Sequence, residues 1–330
     1  MKKAAFFLIC SVVTVGLVFA AGDSLAKVIK LGHIRDTGHP THKGALAFAK
    51  LVDERTQGRI KINVFPNSQL GGIQEMFTQL QTGDLEMVYG GINTLGFIDG
   101  GDAFEITAIP FLYRDYEHMR QALLADFFKP VSEDAEKNTG IKIMNIAGDT
   151  APRGLTANRA IRGPEDFRGL KIRTAASEVV LRVMKKLGAL PQQIPFAELY
   201  IALKTGVVDA QENGAIVVAT KSLYEVQSHY MKTDYIRDIE TFYIHPKFWN
   251  SLSKEDQMIL MTASEEAGAL VTDLTRQQLK EAYDTLATKM TVIKPPELDL
   301  EAIRKQLEGV FDDWEGKKWP AGLLKKIGSM

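Results

Sequence analysis

Cysteine is almost missing from this chain: there is one in 330 residues, Cys10, inside the first apolar stretch. That excludes a disulfide framework and any paired-cysteine metal or redox motif. Surplus charge is missing too. The 40 Lys and Arg stand against 41 Asp and Glu, a formal charge of −1, whereas a nucleic-acid partner usually shows as a basic surplus. After residue 26 no apolar run is long enough for a membrane-spanning helix. No nucleophile elbow or phosphate-cradling glycine loop occurs, since Lys43-Gly44 and Gly90-Gly91 lack the surrounding spacing. What is present is an ordinary globular composition, 45% hydrophobic and 25% charged, enough for one large or two modest domains.

Residues 1–26 read as a separate object. Lys2 and Lys3 give a positive start, Ala4 to Ala21 an apolar run, and Ser24-Leu25-Ala26 a small-x-small cleavage site. A removed signal peptide is expected, with a retained anchor as the alternative. Cutting after Ala20 or Ala21 would also be consistent. Cys10 lies too early in the apolar run to carry a lipid anchor. The expected location is the periplasm.

Beyond it, apolar and polar residues alternate over Val28–Gly32 and Ile60–Phe65, the period of half-buried strands. The loop between carries His33, His39 and His42. Three histidines invite a metal reading, but Asp36 alone is thin further support for a ligand set, and polar contacts in a loop or cleft are expected instead. A helix over 73–81 ends at Gly83, and the phrase Leu80-Gln81-Thr82-Gly83 returns as Leu203-Lys204-Thr205-Gly206. Each is an apolar helix stopped by a glycine suited to a left-handed backbone, then a short strand. The echo suggests two lobes on one plan, unless it is a chance repeat of a common helix stop. Helices are expected over 119–128 and 131–138, and strands over 141–146 and 241–244. One or two long helices are expected over 254–290, broken by Pro295-Pro296, with a last helix over 300–314.

The most informative stretch runs from Arg153 to Asn213. Pro164 opens a turn, Gly169 closes it, and Leu170–Arg173 reads as a short buried strand before a helix over 177–187. Arg173 thus stands at a strand's carboxyl end, where open α/β sheets bind ligands. Its fork of donors suits a carboxylate. The combination of Arg153, Asn158-Arg159, Pro164 with Asp166, Gly169–Arg173, Pro195-Phe196 and Asp209–Asn213 resembles the signature of the solute-binding proteins of tripartite ATP-independent periplasmic (TRAP) transporters, of the dicarboxylate-binding type. Phe65–Gly72 is similar to the family as well, and the resemblance spans nearly all of the chain after residue 26.

The resemblance implies a two-lobed α/β binding protein. Each lobe has a mixed sheet flanked by helices, a ligand cleft lies between the lobes, and long C-terminal helices brace them. Lobe I is expected over 27–150 plus about 239–278, and lobe II over 151–238 plus about 279–330. The chain would cross near 147–153 and again near 235–242. The implied function is capture of an organic acid and delivery to TRAP membrane subunits, by a monomer, with no cofactor, metal, catalysis or nucleic acid. Delivery to an ATP-driven importer and a periplasmic enzyme acting on a carboxylic acid are the alternatives.

At the site, the resemblance assigns Arg173 a two-pronged salt bridge to the ligand carboxylate, Arg153 an assisting role and Asn213 an amide contact from the opposite side. Phe196 matches an aromatic lining position. His33, Tyr89, Asn93, Asp149 and Tyr235 are lining candidates from their placement after strands, with His39 and His42 as cleft donors. Glu198 and Glu212 could be imagined as an acid/base pair, but nothing in the sequence brings them together. Gly72 and Gly91 stand where some sialic-acid-binding members carry acidic residues, which argues against an amino-sugar acid and predicts more room opposite the arginine.

Overall fold

Alternation drives the first strand, β1 (Lys27–Gly32): Ile29 and Leu31 are fully buried while Val28 is 60% exposed. This computed structural model describes residues 26–330, so the expected signal peptide, apart from Ala26, lies outside the described residues. The helix Pro40–Arg55 follows, started by Pro40 and by the His39 side chain accepting from the Thr41 N–H. Next come β2 (Ile60–Phe65), β3 (Met87–Gly91) and β4 (Lys142–Ile143). The chain continues with β5 (Arg153–Ala157), β6 (Lys171–Thr174), β7 (Leu190–Gln193), β8 (Ala210–Asn213) and β9 (His229–Ile236). Strands β10 (Glu240–Ile244) and β11 (Thr291–Ile293) complete the set.

These strands form two mixed sheets, ordered β2-β1-β3-β10-β4 and β11-β9-β5-β8-β6-β7. The sheets repeat one plan. In the first, β1 pairs in parallel with both β2 and β3, and β10 runs antiparallel on the far side of β3. In the second, β6 pairs in parallel with both β7 and β8, and β5 runs antiparallel on the far side of β8. The glycine stops expected from the repeated phrase both take a left-handed backbone, Gly83 at φ 86° and Gly206 at φ 72°. Each triplet has a switch point between its middle strand and the third, the place where open α/β sheets leave a crevice.

Two connectors join the sheets side by side. Asp149 bridges Ile239 in antiparallel fashion, and the Glu240 N–H donates to the Gly148 carbonyl (2.8 Å). A third link is the helix Lys254–Lys289, one element of 36 residues and about 54 Å. Leu260, Ala263, Ala267 and Val271 pack with Phe48 and Val52 of the first sheet's cluster. Ala282 and Leu286 pack with Leu199 and Leu203 of the second. Gly268 permits a close crossing, since a Cβ there would sit 2.6 Å from the Ala147 carbonyl oxygen.

Some elements differ from the sequence expectation. The strand expected over 141–146 is confined to Lys142–Ile143: the Met144 N–H still donates to the Phe242 carbonyl (2.8 Å), but the Phe242 N–H donates to the Asn145 side-chain Oδ1 (2.9 Å) instead of continuing the backbone ladder. The helix expected over 300–314 stops at Gln306, Phe311, Trp314 and Trp319 gather in an aromatic cluster instead, and a further short helix, Leu323–Gly328, closes the chain. Tyr89, expected just after a strand, lies within β3 itself.

Candidate functional site

The carboxyl ends of the two parallel triplets meet around a cavity of about 620 Å³. Ile34 and Arg35 enter it from the loop after β1, and Asn93 and Thr94 from the turn after β3. The second sheet contributes Arg173 and Ala175–Ser177 from the end of β6, and Glu212 and Asn213 from the end of β8. Each contribution comes from a strand beside a switch point, as the crevice rule requires. Arg153, Phe196, Glu198 and Asp238 also line the cavity.

Arg173 is 2% exposed, and its Nε donates to the Ile194 carbonyl (2.8 Å). Its terminal nitrogens make no hydrogen bond, and it forms no salt bridge, among the described residues. Burial lowers the guanidinium to about 10; Glu212 offsets part of that, while Arg153 and Arg35 add to it. It remains a cation at neutral pH, held in a desolvated place without a counter-ion.

Arg153 is different. Its Nε donates to Glu212 Oε2 (2.5 Å), and its Nη2 to Glu212 Oε1 (2.7 Å) and to the Glu212 carbonyl (2.8 Å). Burial would lower this guanidinium, but the charge and hydrogen bonds of Glu212 outweigh it and hold it above its ordinary value. Tyr235 OH donates to the same carboxylate (3.0 Å). Arg153 and Tyr235 are therefore spent on Glu212. Glu198 and Glu212 do line one cavity, but Glu212 is engaged by this pair rather than poised for proton transfer.

Asn213 Nδ2 donates to Gln211 Oε1 (2.7 Å), which uses one of its two amide hydrogens. Gln211 is held in turn by donating to Thr156 Oγ1 (2.9 Å). The Phe196 ring is ringed by cations: Lys221 Nζ at 4.4 Å from its centroid, Arg35 Cζ at 5.4 Å and Arg173 Cζ at 6.0 Å. Phe196 therefore packs one part of its ring against the cluster around Leu199 and Leu203 while offering a face to charge. Ser177 caps the helix Glu178–Lys186 through the Val180 N–H and donates to buried Glu105 (2.7 Å). Glu105 also accepts from the Glu178 and Val179 N–H groups; burial nonetheless raises it to about 7.

The remaining candidates do not line the cavity. His33 is fully buried, 3.1 Å from His42 through Nε2 and Nδ1, and is pushed down to about 3 by burial and then by His42 and Arg35. His39 is an N-cap, and burial lowers it as well. No group of three metal-ligating side chains occurs among the described residues. Tyr89 stacks on Phe242 with centroids 3.8 Å apart. Asp149 accepts from the Ala151 N–H (2.9 Å) and shapes the connector.

Sequence reasoning missed Arg35 and Asp238. Arg35 lies three residues past β1 and could have been found by the rule that selected Arg173, but the histidines of that loop drew the attention. Its Nε donates to buried Glu240 Oε1 (3.4 Å). Asp238 sits in the connector between the sheets and carried no local signal. Its Oδ1 accepts from the N–H groups of Ile239 (3.0 Å) and Asn93 (3.3 Å). Its Oδ2 occupies the space a side chain at Gly91 would need. The expectation of extra room is thus corrected at Gly91, whereas at Gly72 nothing lies within 4 Å of an added Cβ.

Residues 31–317 match the family described as bacterial extracellular solute-binding protein, family 7. The chain belongs to that family. A sialic acid-binding periplasmic protein of Vibrio cholerae is 28% identical to this family 7 chain over 297 residues, covering 90% of it and 91% of that protein. A C4-dicarboxylate-binding periplasmic protein of Rhodobacter capsulatus is 32% identical over 261 residues, covering 78% and 77%. Among solved structures, a TRAP periplasmic solute-binding protein of Actinobacillus succinogenes with bound L-galactonate superposes with a TM-score of 0.85 at 25% identity, covering 92% of this chain and 98% of that one. The fold, with two mixed sheets and one long bracing helix, is that of TRAP solute-binding proteins.

Proposed function

We propose that this family 7 protein captures an organic acid anion in the cavity between its sheets and hands it to TRAP membrane subunits. The observation that carries the reading is Arg173: a buried guanidinium with free terminal nitrogens and no carboxylate partner among the described residues. A desolvated charge is costly unless it is paired, and a ligand carboxylate supplies the missing partner through two charge-assisted hydrogen bonds. Asn213 offers its second amide hydrogen, and Phe196 offers its ring face. The relatives and the neighbouring structure are named for sialic acid, C4-dicarboxylates and L-galactonate, all of them carboxylates.

In this reading the lobes are 27–150 plus about 239–278 and 151–238 plus about 279–330, hinged where Asp149 meets Ile239. The protein works in the periplasm as a monomer, after removal of residues 1–26, and binds without catalysis. A thermal-shift screen against a library of organic acids tests this. A cognate acid at ~100 times its dissociation constant should stabilise by ~2.7 kcal/mol. A screen in which no carboxylate raises the melting temperature overturns the reading.

A further inference from the structure

Charge balance in the cavity narrows the acid. Three arginines line it, and two are already neutralised within the protein: Arg153 by Glu212, and Arg35 by Glu240 directly behind it. Only Arg173 is uncompensated. Four carboxylates line the same cavity, those of Glu75, Glu198, Glu212 and Asp238. Of these, Asp238 is 3% exposed and is held by backbone N–H groups, with no arginine in salt-bridge contact among the described residues. A ligand with one carboxylate on Arg173 therefore finds no second unpaired guanidinium. Its far end meets acceptors at Asp238 and free Arg35 nitrogens whose charge is already balanced. Hydroxyl groups satisfy both, since each can donate to a carboxylate and accept from a guanidinium. Burial and then the nearby Glu240 push Asp238 up to about 7, so a second carboxylate brought beside it would force either two like charges or an additional bound proton into a desolvated place, and both costs select against it.

We propose that Asp238, with the Arg35–Glu240 pair, makes this cavity selective for hydroxylated monocarboxylates and excludes dicarboxylates. The proposal rests on Arg173 holding the ligand carboxylate. Gly91 belongs to the same device, because a side chain there would displace the Asp238 carboxylate.

Calorimetric titration of the full-length mature protein with D-gluconate and D-glycerate, against succinate and glutarate, is the test. The wild type should bind the better hydroxy acid at least tenfold more tightly than the better dicarboxylate. In Asp238→Asn, which keeps an oxygen for the two N–H donors, the hydroxy acids should weaken and the dicarboxylates gain, narrowing that ratio at least tenfold. Dicarboxylates binding as tightly as the hydroxy acids, or tighter, overturn the selectivity while leaving carboxylate capture intact. An unchanged ratio in a folded Asp238→Asn overturns the role of Asp238. Binding by none of the four acids overturns the selectivity, and the wider acid screen then judges carboxylate capture separately. If the variant fails to fold, the wild-type ratio decides.

Discussion

Strand β8 has an arginine on each side of it, and the two have opposite fates. Arg153 on β5 is locked to Glu212; Arg173 on β6 has no acidic partner. The register explains the difference. Glu212 pairs with Leu155, two residues along from Arg153, so both side chains leave the same face of the sheet. Arg173 pairs with Gln211, and strand alternation puts Asn213 on that face too. One face of β8 therefore offers a carboxylate and the other offers amides. The first neutralises its arginine, and the second leaves its arginine charged and waiting. A buried arginine is structural or ligand-reading according to which face of one neighbouring strand it meets.

Breaking the paired side should have the largest effect. Arg153→Ala leaves Glu212 buried with only Tyr235 to donate to it, and losing one partner of a buried pair costs about 3–5 kcal/mol of stability. The ligand-free melting temperature should fall by roughly 10 °C; a variant melting like the wild type would show the pair to be dispensable. The unpaired side should respond in the opposite way. Arg173→Ala removes an uncompensated charge, so ligand-free melting should hold or rise, while titration with a cognate acid should show a loss of about 2–5 kcal/mol, thirty-fold to several thousand-fold. Arg173→Lys should also bind poorly, because a point charge does not reproduce the fork. Tight binding by a well-folded Arg173→Ala would put the carboxylate elsewhere.

Glu105 sharpens the contrast, because it is a buried carboxylate without an arginine in contact. Its pKa in the fold is about 7, against an ordinary 4.5. Between these values the folded protein keeps a proton that the unfolded chain has released, so this group's contribution to stability falls as pH rises through that window. Above pH 7 both states are ionised and the penalty is constant. The slope is at most ~1.4 kcal/mol per pH unit. Glu105→Gln should lack this slope, so the melting temperature of the wild type should fall relative to that of the variant from pH 5 to pH 7; a pH-independent difference would refute the assignment. The smallest effect is expected at Phe196. Phe196→Leu removes a ring face shared by Arg173, Arg35 and Lys221, with a loss of about 1 kcal/mol in binding. The melting temperature set by the Arg153 pair should hold, as a scanning-calorimetry trace would report.

Much of the fold was legible because strands and helices announce themselves locally. Alternation marked β1 and β2, Gly83 and Gly206 marked two helix stops, and the position of Arg173 before a capped helix marked a crevice. The misses have a common cause. His33, Tyr89, Asp149 and Tyr235 follow or end strands, as cavity residues do, but face inward or toward the connector. Placement after a strand gives the edge, and the side-chain direction depends on a pleat phase that differs from strand to strand.

The sequence by itself determined most of the elements, the two glycine helix stops and the arginine at the end of β6, because each rests on residues within one or two turns of chain; the pairing of strands into two matching triplets came from the sheets. Tertiary structure alone decided that Arg153 is neutralised by Glu212, 59 residues away, and that Asp238 fills the space Gly91 leaves open, from 147 residues further along the chain. Sheet order and register set those pairings, and in a desolvated cavity the partner of a charge decides its chemistry.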